Sequence, residues 1–210
     1  MQLMLKALAR WCLAVVLGLS AGTATAGGKA RLEAFLNGVQ SLQARFDQSV
    51  FDPSQGQTRR LEGVFYLQRP GKFRWDYTEP KGQLVLADGK TVWLVEDDLR
   101  QAYQKRQSEA LRGTPALLLT EQLELDDHFE IADLGPGQDL DWVELIPRDP
   151  ESQFTRVLLA FAGNELRRME LADKFGQVTR FGFSDIRRNP RLDPDLFVYV
   201  PPRGTQMFEH

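Results

Sequence analysis

From residue 45 onward, apolar and polar residues alternate with a period of two in a long series of short runs, and this alternation limits the possible folds more than any other feature. The clearest run covers residues 72–78, where Phe73, Trp75 and Tyr77 alternate with polar or charged residues. A period of two is typical of a β-strand with one buried face. The runs predict strands at 45–50, 61–68, 72–78, 83–87, 91–95, 100–105, 128–133, 141–146, 154–161, 165–171, 177–186 and 196–200.

Residues that favour turns separate these runs. Asp88-Gly89 lies between two of them and predicts a tight hairpin, and Gly135-Pro136-Gly137 and Gly163-Asn164 mark later turns. Many short strands joined by hairpins favour a meander that curls into a barrel or half-barrel. We therefore predict a single, mainly β domain built on an antiparallel barrel or half-barrel.

Two segments depart from the period of two. Leu32, Phe35 and Leu36 recur with helical spacing and predict a helix over residues 30–42. A second helix-favouring segment, 108–120, interrupts the strands and carries Thr114 and Pro115 at a helix start. Two short helices are too small to cover the sheet from outside, so we predict that they plug its concave side.

The first 26 residues have the pattern of a secretory signal peptide. Lys6 and Arg10 precede an apolar run that ends in Ala24-Thr25-Ala26, which predicts cleavage after Ala26 and a periplasmic location. Cys12, the chain's one cysteine, would leave with this segment, so no disulfide is expected. Residues 27–210 would keep 24 basic and 29 acidic residues, a net charge of −5, which gives no general attraction to nucleic acid.

The sequence lacks the motifs of common catalytic sites. Its two histidines, His128 and His210, are far apart in the chain, and no G-x-S-x-G motif is present. Asp126-Asp127-His128 has no second His or Cys cluster to complete a metal site. Counting acidic residues does not test for a carboxylate pair that hydrolyses sugars, so that alternative stays open. We expect no enzyme activity, metal or cofactor.

The remaining functional candidates are apolar side chains on the predicted strands. Phe73, Trp75 and Tyr77 share one face of their strand, and the neighbouring strands add further large apolar residues. Such a surface could be an ordinary barrel core or the wall of a ligand cavity. Residue types alone leave both interpretations open.

Several motifs occur in an order that is typical of one family. The run Arg69-Pro70-Gly71-Lys72-Phe73-Arg74-Trp75 is preceded by 42–48 and followed by a hairpin containing Asp88-Gly89-Lys90 and Trp93. The stretches 182–185 and 197–204 complete the pattern. In these motifs the chain resembles the periplasmic outer-membrane lipoprotein carrier proteins, the LolA family, over essentially all of residues 27–210.

The resemblance implies an incomplete antiparallel β-barrel (a half-barrel) closed by a helical lid, with the acyl chains of lipoproteins held in a hydrophobic cavity between them. The implied partners are acylated lipoproteins, an inner-membrane ABC-type complex that loads the carrier and an outer-membrane lipoprotein acceptor that unloads it. The carrier itself would need no cofactor. The sequence gives no basis for oligomerisation, so a monomer is the default expectation.

The resemblance also assigns roles to particular residues. Arg69 matches an arginine that holds the lid shut, Phe73 matches a phenylalanine at the mouth, and Trp75 would lie beside it. The apolar residues expected to contact acyl chains or line the mouth are Phe46, Phe65, Leu67, Phe73, Trp75, Tyr77, Leu84, Leu86 and Trp93. The lid would comprise 30–42 and 108–120, with Leu32, Phe35, Leu36, Leu117 and Leu118 facing the ligand or the barrel.

Three other readings compete with a soluble carrier. A membrane-anchored acceptor would need a lipobox cysteine where Ala26-Gly27 stand. A periplasmic sensory or acyl-binding module of similar fold is the second alternative, although sensory members carry a further domain for which we expect no room in this chain. An enzyme is the third, and the shortage of histidine argues against it.

Overall fold

The computed structural model describes residues 27–112, 114, 116–120 and 124–209, so the predicted signal peptide lies outside the described residues. Within these ranges the chain forms twelve strands. Their bounds are β1 Ser41–Asp52, β2 Gln57–Gln68, β3 Lys72–Glu79, β4 Gln83–Asp88, β5 Thr91–Glu96, β6 Gln101–Arg106, β7 Phe129–Gly137, β8 Leu140–Pro147, β9 Phe154–Ala162, β10 Glu165–Asp173, β11 Val178–Arg188 and β12 Gln206–Glu209. The helices described are α1 Gly28–Gly38, α2 Gln107–Ala110, α3 Ala116–Thr120 and α4 Leu125–His128.

All twelve strands belong to one open sheet in the order β12-β6-β5-β4-β3-β2-β1-β11-β10-β9-β8-β7. Two meanders, β1 to β6 and β7 to β11, are joined where β1 pairs with β11. Neighbours are antiparallel throughout except β12, which pairs with β6 in parallel. The predicted incomplete antiparallel barrel is therefore confirmed, with one parallel strand added at its edge.

The prediction of a last strand at 196–200 is wrong. Residues Pro194–Phe197 form a 3₁₀ helix instead, with the Asp193 carboxylate accepting a hydrogen bond from the Asp195 N–H. Proline at 194, 201 and 202 provides no N–H for a sheet, which explains why this stretch does not join one. We call residues 189–205 the strap, because they cross the outer face of the sheet and lead into β12.

The predicted helix at 30–42 is shorter than expected, since α1 ends at Gly38 and β1 begins at Ser41. The Asn189 side chain fixes this boundary: its amide donates to the Gly38 carbonyl at 3.0 Å, and its carbonyl accepts from the Gln40 N–H at 2.8 Å. In the predicted helix-favouring segment 108–120 the structure has two short helices, α2 and α3.

The main core lies between the helices and the concave face of the sheet. Alternate residues of the strands point toward this side, and α1 packs across β7, β8 and β9 while α3 contacts β2. A second, smaller core lies on the opposite face, where Phe197 of the strap packs against β4, β5 and β6. The strap therefore covers the outer face of the sheet at β4, β5 and β6, whereas α1 covers the concave face at β7, β8 and β9.

Candidate functional site

Helices α1, α2 and α3 form the lid, which covers part of the concave face. Leu32, Phe35 and Leu118 of the lid are buried, with exposed fractions of 1%, 2% and 4%. Leu36 and Leu117 are half-buried and pack against the same core. The five lid residues predicted from the sequence therefore all meet the main core in the structure.

Arg69, just after β2, connects two helices of the lid to the sheet. Its guanidinium donates hydrogen bonds to the Leu36 carbonyl at the end of α1 and to the Leu118 carbonyl of α3, the latter at 3.0 Å. Carbonyls in the last turn of a helix have no partner within the helix, and a guanidinium can serve several acceptors at once. Its own backbone N–H donates to the Gln40 carbonyl at 2.8 Å.

The electrostatic environment of Arg69 is consistent with this arrangement. Burial lowers the pKa of the Arg69 guanidinium, because removal from water disfavours the cation. Hydrogen bonds from a charged donor are stronger than those between neutral groups, so the two lid carbonyls offset part of that desolvation. The Arg69 guanidinium therefore places a positive charge where α1, α3 and the β2–β3 turn meet.

A second connection between lid and sheet uses Gln107, which the sequence analysis did not single out. Its side chain is 7% exposed, accepts a hydrogen bond from the Gly89 N–H at 3.1 Å and donates one to the Gly71 carbonyl at 2.8 Å. The Gly71 N–H in turn donates to the Thr120 carbonyl at the end of α3, at 2.9 Å. A glutamine between a strand and a helix-favouring run carries no sequence signal for this role.

The concave face beneath and beside the lid carries a cluster of aromatic rings that we call the floor. Its residues are Phe46, Phe65, Trp75, Tyr77, Phe181 and Phe183. The Trp75 ring is central, with centroids 4.4 Å from Phe65, 4.8 Å from Phe46 and 5.0 Å from Phe181. Such tilted and edge-on contacts are the favoured geometries for aromatic pairs.

Gly63 makes room for part of the floor. A Cβ atom at this position would lie 2.2 Å from the Asp76 carbonyl oxygen and 2.6 Å from the Phe46 ring. Only glycine lets the two strands and the Phe46 ring approach this closely.

Tyr77 is the one floor residue with a hydroxyl group. Its hydroxyl donates a hydrogen bond to the Gln48 side chain at 3.0 Å, and burial raises the pKa of Tyr77.

Phe181 and Phe183 belong to the floor but were not among the predicted site residues. Both lie on β11 and are 8% exposed. The alternation that predicts this strand also places the two rings on one face, since they are two residues apart, so the sequence does carry a signal for them. Phe73 and Leu67 are buried in the main core at 3% and 0%, so in this structure Phe73 lies beneath the lid rather than at an open mouth.

Leu84, Leu86 and Trp93 do not lie on the concave face, contrary to the prediction. They belong, with Phe197 of the strap, to the second core on the opposite face of the sheet, which we call the outer core. The inner positions of β4 are Val85 and Ala87, which pair with Trp75 and Phe73. Because β4 is covered on both faces its residues are apolar in succession, and its sequence does not reveal which ones point inward.

Among the described residues, lid side chains lie in the hollow expected for a ligand. The apolar cavities that these residues line beneath the lid include two of about 10 and 20 Å³. Each is near the minimum size that holds one water molecule. In this closed structure Leu32, Phe35 and Leu118 occupy the space, and a long apolar ligand could bind there only after the lid moves.

Two larger clefts, of about 440 and 660 Å³, lie on the outer face of the sheet around β1, β10 and β11. Their walls carry charges of both signs, including Arg60, Arg168, Arg180, Asp47, Glu62 and Glu170. A lining of this kind suits polar partners rather than an acyl chain. Size alone therefore does not identify the apolar site.

The described part of the chain holds no group of three or more His, Cys, Asp or Glu residues that could bind a metal ion. His128 lies in the short helix α4, which has no buried residue. No helix among residues 27–112, 114, 116–120 and 124–209 is long and apolar enough to cross a bilayer.

Comparison with known proteins places the chain next to one family. The family described as outer membrane lipoprotein carrier protein LolA matches residues 37–200. An outer-membrane lipoprotein carrier protein of Methylococcus capsulatus is 44% identical, over 86% of this chain and 87% of the relative. One of Chromobacterium violaceum is 38% identical, over 92% and 93%.

A solved structure of an uncharacterized conserved protein from Thermus thermophilus has the same fold. It superposes with a TM-score of 0.52 at 14% identity, and the match covers 86% of this chain and 95% of that protein.

Proposed function

The chain belongs to the LolA family of outer-membrane lipoprotein carrier proteins, and on that basis we propose that it is a periplasmic carrier that binds the acyl chains of lipoproteins between its lid and its aromatic floor. The observation that carries the proposal is the junction at Arg69, where one side chain from the sheet hydrogen-bonds two lid helices that cover an apolar surface. The protein would bind and release its cargo without catalysing a reaction.

Acyl chains can replace the lid side chains at small energetic cost. Withdrawing Leu32, Phe35 and Leu118 from the core exposes three large side chains, which costs about 5–9 kcal/mol at about 1.5–3 kcal/mol each. One acyl chain of about a dozen buried methylenes returns about 10 kcal/mol at about 0.8 kcal/mol each. Burial of a single acyl chain therefore offsets the exposure of these three lid side chains, so the cost of opening the lid does not prevent loading.

Arg69 would act as the latch in this exchange. Its hydrogen bonds to Leu36 and Leu118 stabilise the closed, empty state and therefore compete with the ligand. Closing the lid again would help expel acyl chains at the receiving membrane. The same bonds that lower affinity thus favour delivery.

The route between membranes forms the finer part of the proposal. We propose cleavage of the signal peptide after Ala26, loading by an inner-membrane ABC-type complex and delivery to an outer-membrane lipoprotein acceptor. An acyl chain cannot cross water unaided, because each exposed methylene costs about 0.8 kcal/mol. A soluble carrier with an apolar face supplies the missing step between two membranes.

The test is binding of a fluorescent triacylated lipopeptide to the protein purified from the periplasm. We expect the protein to keep the lipopeptide soluble in a stoichiometric complex, and native mass spectrometry of the same preparation to detect co-purified lipoprotein. Trp75→Gln on the floor should bind at least tenfold more weakly.

Trp142→Gln is the matched control, since Trp142 is also half-buried but lines the outer cleft. It should bind as the unaltered protein does. A lipopeptide that stays aggregated in the presence of the protein, or equal binding by the two variants, would contradict the proposal.

A further inference from the structure

A row of apolar side chains extends the floor beyond the lid to the edge of the sheet. Trp75 pairs with Val85, Val85 with Leu94, Leu94 with Tyr103 and Tyr103 with Phe208, across β3, β4, β5, β6 and β12. Directly paired residues point to the same side of a sheet. We call Val85, Leu94, Tyr103 and Phe208 the side row.

The side row is partly accessible to solvent. Leu94 is 45% and Phe208 36% exposed, while Val85 and Tyr103 are half-buried. The Tyr103 and Phe208 rings stack with their centroids 4.9 Å apart and their planes at 19°. The row therefore presents a continuous apolar surface that starts at Trp75 and ends on the terminal strand.

Polar residues border this surface and keep it narrow. Two residues further along each strand, on the same face, lie Gln83, Glu96, Gln101 and Gln206. The Tyr103 hydroxyl donates to the Gln101 side chain at 3.1 Å, which turns its polar end toward this border. On the other side, Val92 is followed by Lys105 on β6. The apolar lane is therefore one residue wide on β6, while on β4 and β5 it adjoins Ala87 and Val92 of the main core.

We propose that the side row binds one acyl chain of a lipoprotein whose other chains lie under the lid; this inference rests on the proposed function. Three strand spacings of about 4.8 Å separate Val85 from Phe208, so the lane is about 14 Å long. One acyl chain spans half of the hydrocarbon core of a bilayer, and that half is about 15 Å thick. The lane and an acyl chain therefore have similar lengths.

The shape of the lane favours an acyl chain over a protein partner. A stable protein–protein interface buries about 800 Å² on each side, and a strip one or two residues wide offers far less. A linear, uncharged chain matches both the width and the apolar character of the strip. Its continuity with Trp75 allows chains under the lid and chains on the row to belong to one lipoprotein.

The terminal strand presents Phe208 through contacts that do not involve the row. The Gln206 N–H donates to the Arg100 carbonyl at 2.8 Å, and the Gln104 side chain donates to Glu209 at 2.7 Å. Met207, 41% exposed, points to the other face of β12 because it pairs with Ala102 of the outer core. Replacing Phe208 should therefore leave β12 in place.

The experiment compares the double variant Leu94→Gln, Phe208→Gln with the control Met207→Gln in the full exported chain. A fluorescent triacylated lipopeptide should bind the double variant five- to tenfold more weakly and the control as tightly as the unaltered protein. With a photoactivatable group at the end of each acyl chain, we expect crosslinks to Leu94, Tyr103 or Phe208 and none to Met207.

The outcomes separate the two proposals. Unchanged affinity in the double variant, or crosslinks confined to the lid and floor, would overturn the role of the side row while leaving the carrier function intact. Failure of the unaltered protein to bind the lipopeptide would instead overturn the carrier function.

Discussion

Replacing Arg69 with leucine should release the lid without unfolding the sheet. The change removes the hydrogen bonds to the Leu36 and Leu118 carbonyls and leaves an aliphatic side chain that fits a half-buried site. A hydrogen bond from a charged group contributes about 1.5–3 kcal/mol. Since the site is half-exposed and water can partly replace the donor, we expect a loss of about 2–4 kcal/mol from the closed state.

This loss translates into a measurable population of open protein. At about 1.4 kcal/mol per factor of ten, the ratio of open to closed molecules should rise roughly 30- to 700-fold. Hydrogen exchange read by mass spectrometry should show faster exchange of the amides of α1 and α3 by a similar factor. Amides of β9 and β10 should keep their rates, because they are held by sheet pairing.

In the Arg69→Leu protein the affinity for cargo should rise, whereas the rate of cargo release should fall. Destabilising the closed, empty state removes a competitor of the ligand, so the Arg69→Leu protein should bind the lipopeptide more tightly and hand it to acceptor membranes more slowly. Arg167→Leu is the control, since Arg167 forms a partly exposed ion pair with Glu165. Exchange in α1 within twofold of the unaltered protein, or equal acceleration throughout the sheet, would refute the latch.

Three further predictions concern the floor and the strap. Gly63→Ala should lower the free energy of unfolding by about 1–3 kcal/mol in urea denaturation, because the added methyl collides with the Asp76 carbonyl. Burial raises the pKa of Tyr77 above its usual value of 10.0, so its contribution to stability is complete below pH 10 and declines as the pH rises toward the raised pKa. Tyr77→Phe should remove that part of the alkaline loss in denaturation curves measured between pH 9 and pH 11. Phe197→Ala should cost about 3–5 kcal/mol, read as a lower melting temperature, since Phe197 is 2% exposed in the outer core.

The alternation of residues was sufficient to predict most strands, because a half-buried strand must place apolar side chains at every second position. It failed at β4, where Leu84 and Leu86 face the strap and Val85 and Ala87 face the floor, since a strand covered on both faces has no polar side. It also missed β12, whose short parallel pairing with β6 depends on the path of the strap rather than on local sequence.

The apolar residues of the site could be predicted because a residue pattern indicates which side chains share a face. The hydrogen-bonded contacts between lid and sheet could not. The position of Arg69 beside the lid follows from the family resemblance, and its partners are backbone carbonyls, which no side-chain pattern encodes. Gln107 illustrates the same limit, because it reaches Gly71 and Gly89 through a turn and a hairpin that are distant in sequence. Whether the hollow is open or filled depends on packing between α1 and the sheet, which the sequence does not reveal.

The strap has a mechanical consequence for the arm of the sheet formed by β4, β5, β6 and β12. An isolated layer of strands with one wetted apolar side would be unstable, but Phe197 and its neighbours give this arm its own core on the reverse side. The arm can therefore keep its shape whether or not anything rests on its inner surface. A binding surface that stays folded when empty needs no rebuilding between one delivery and the next.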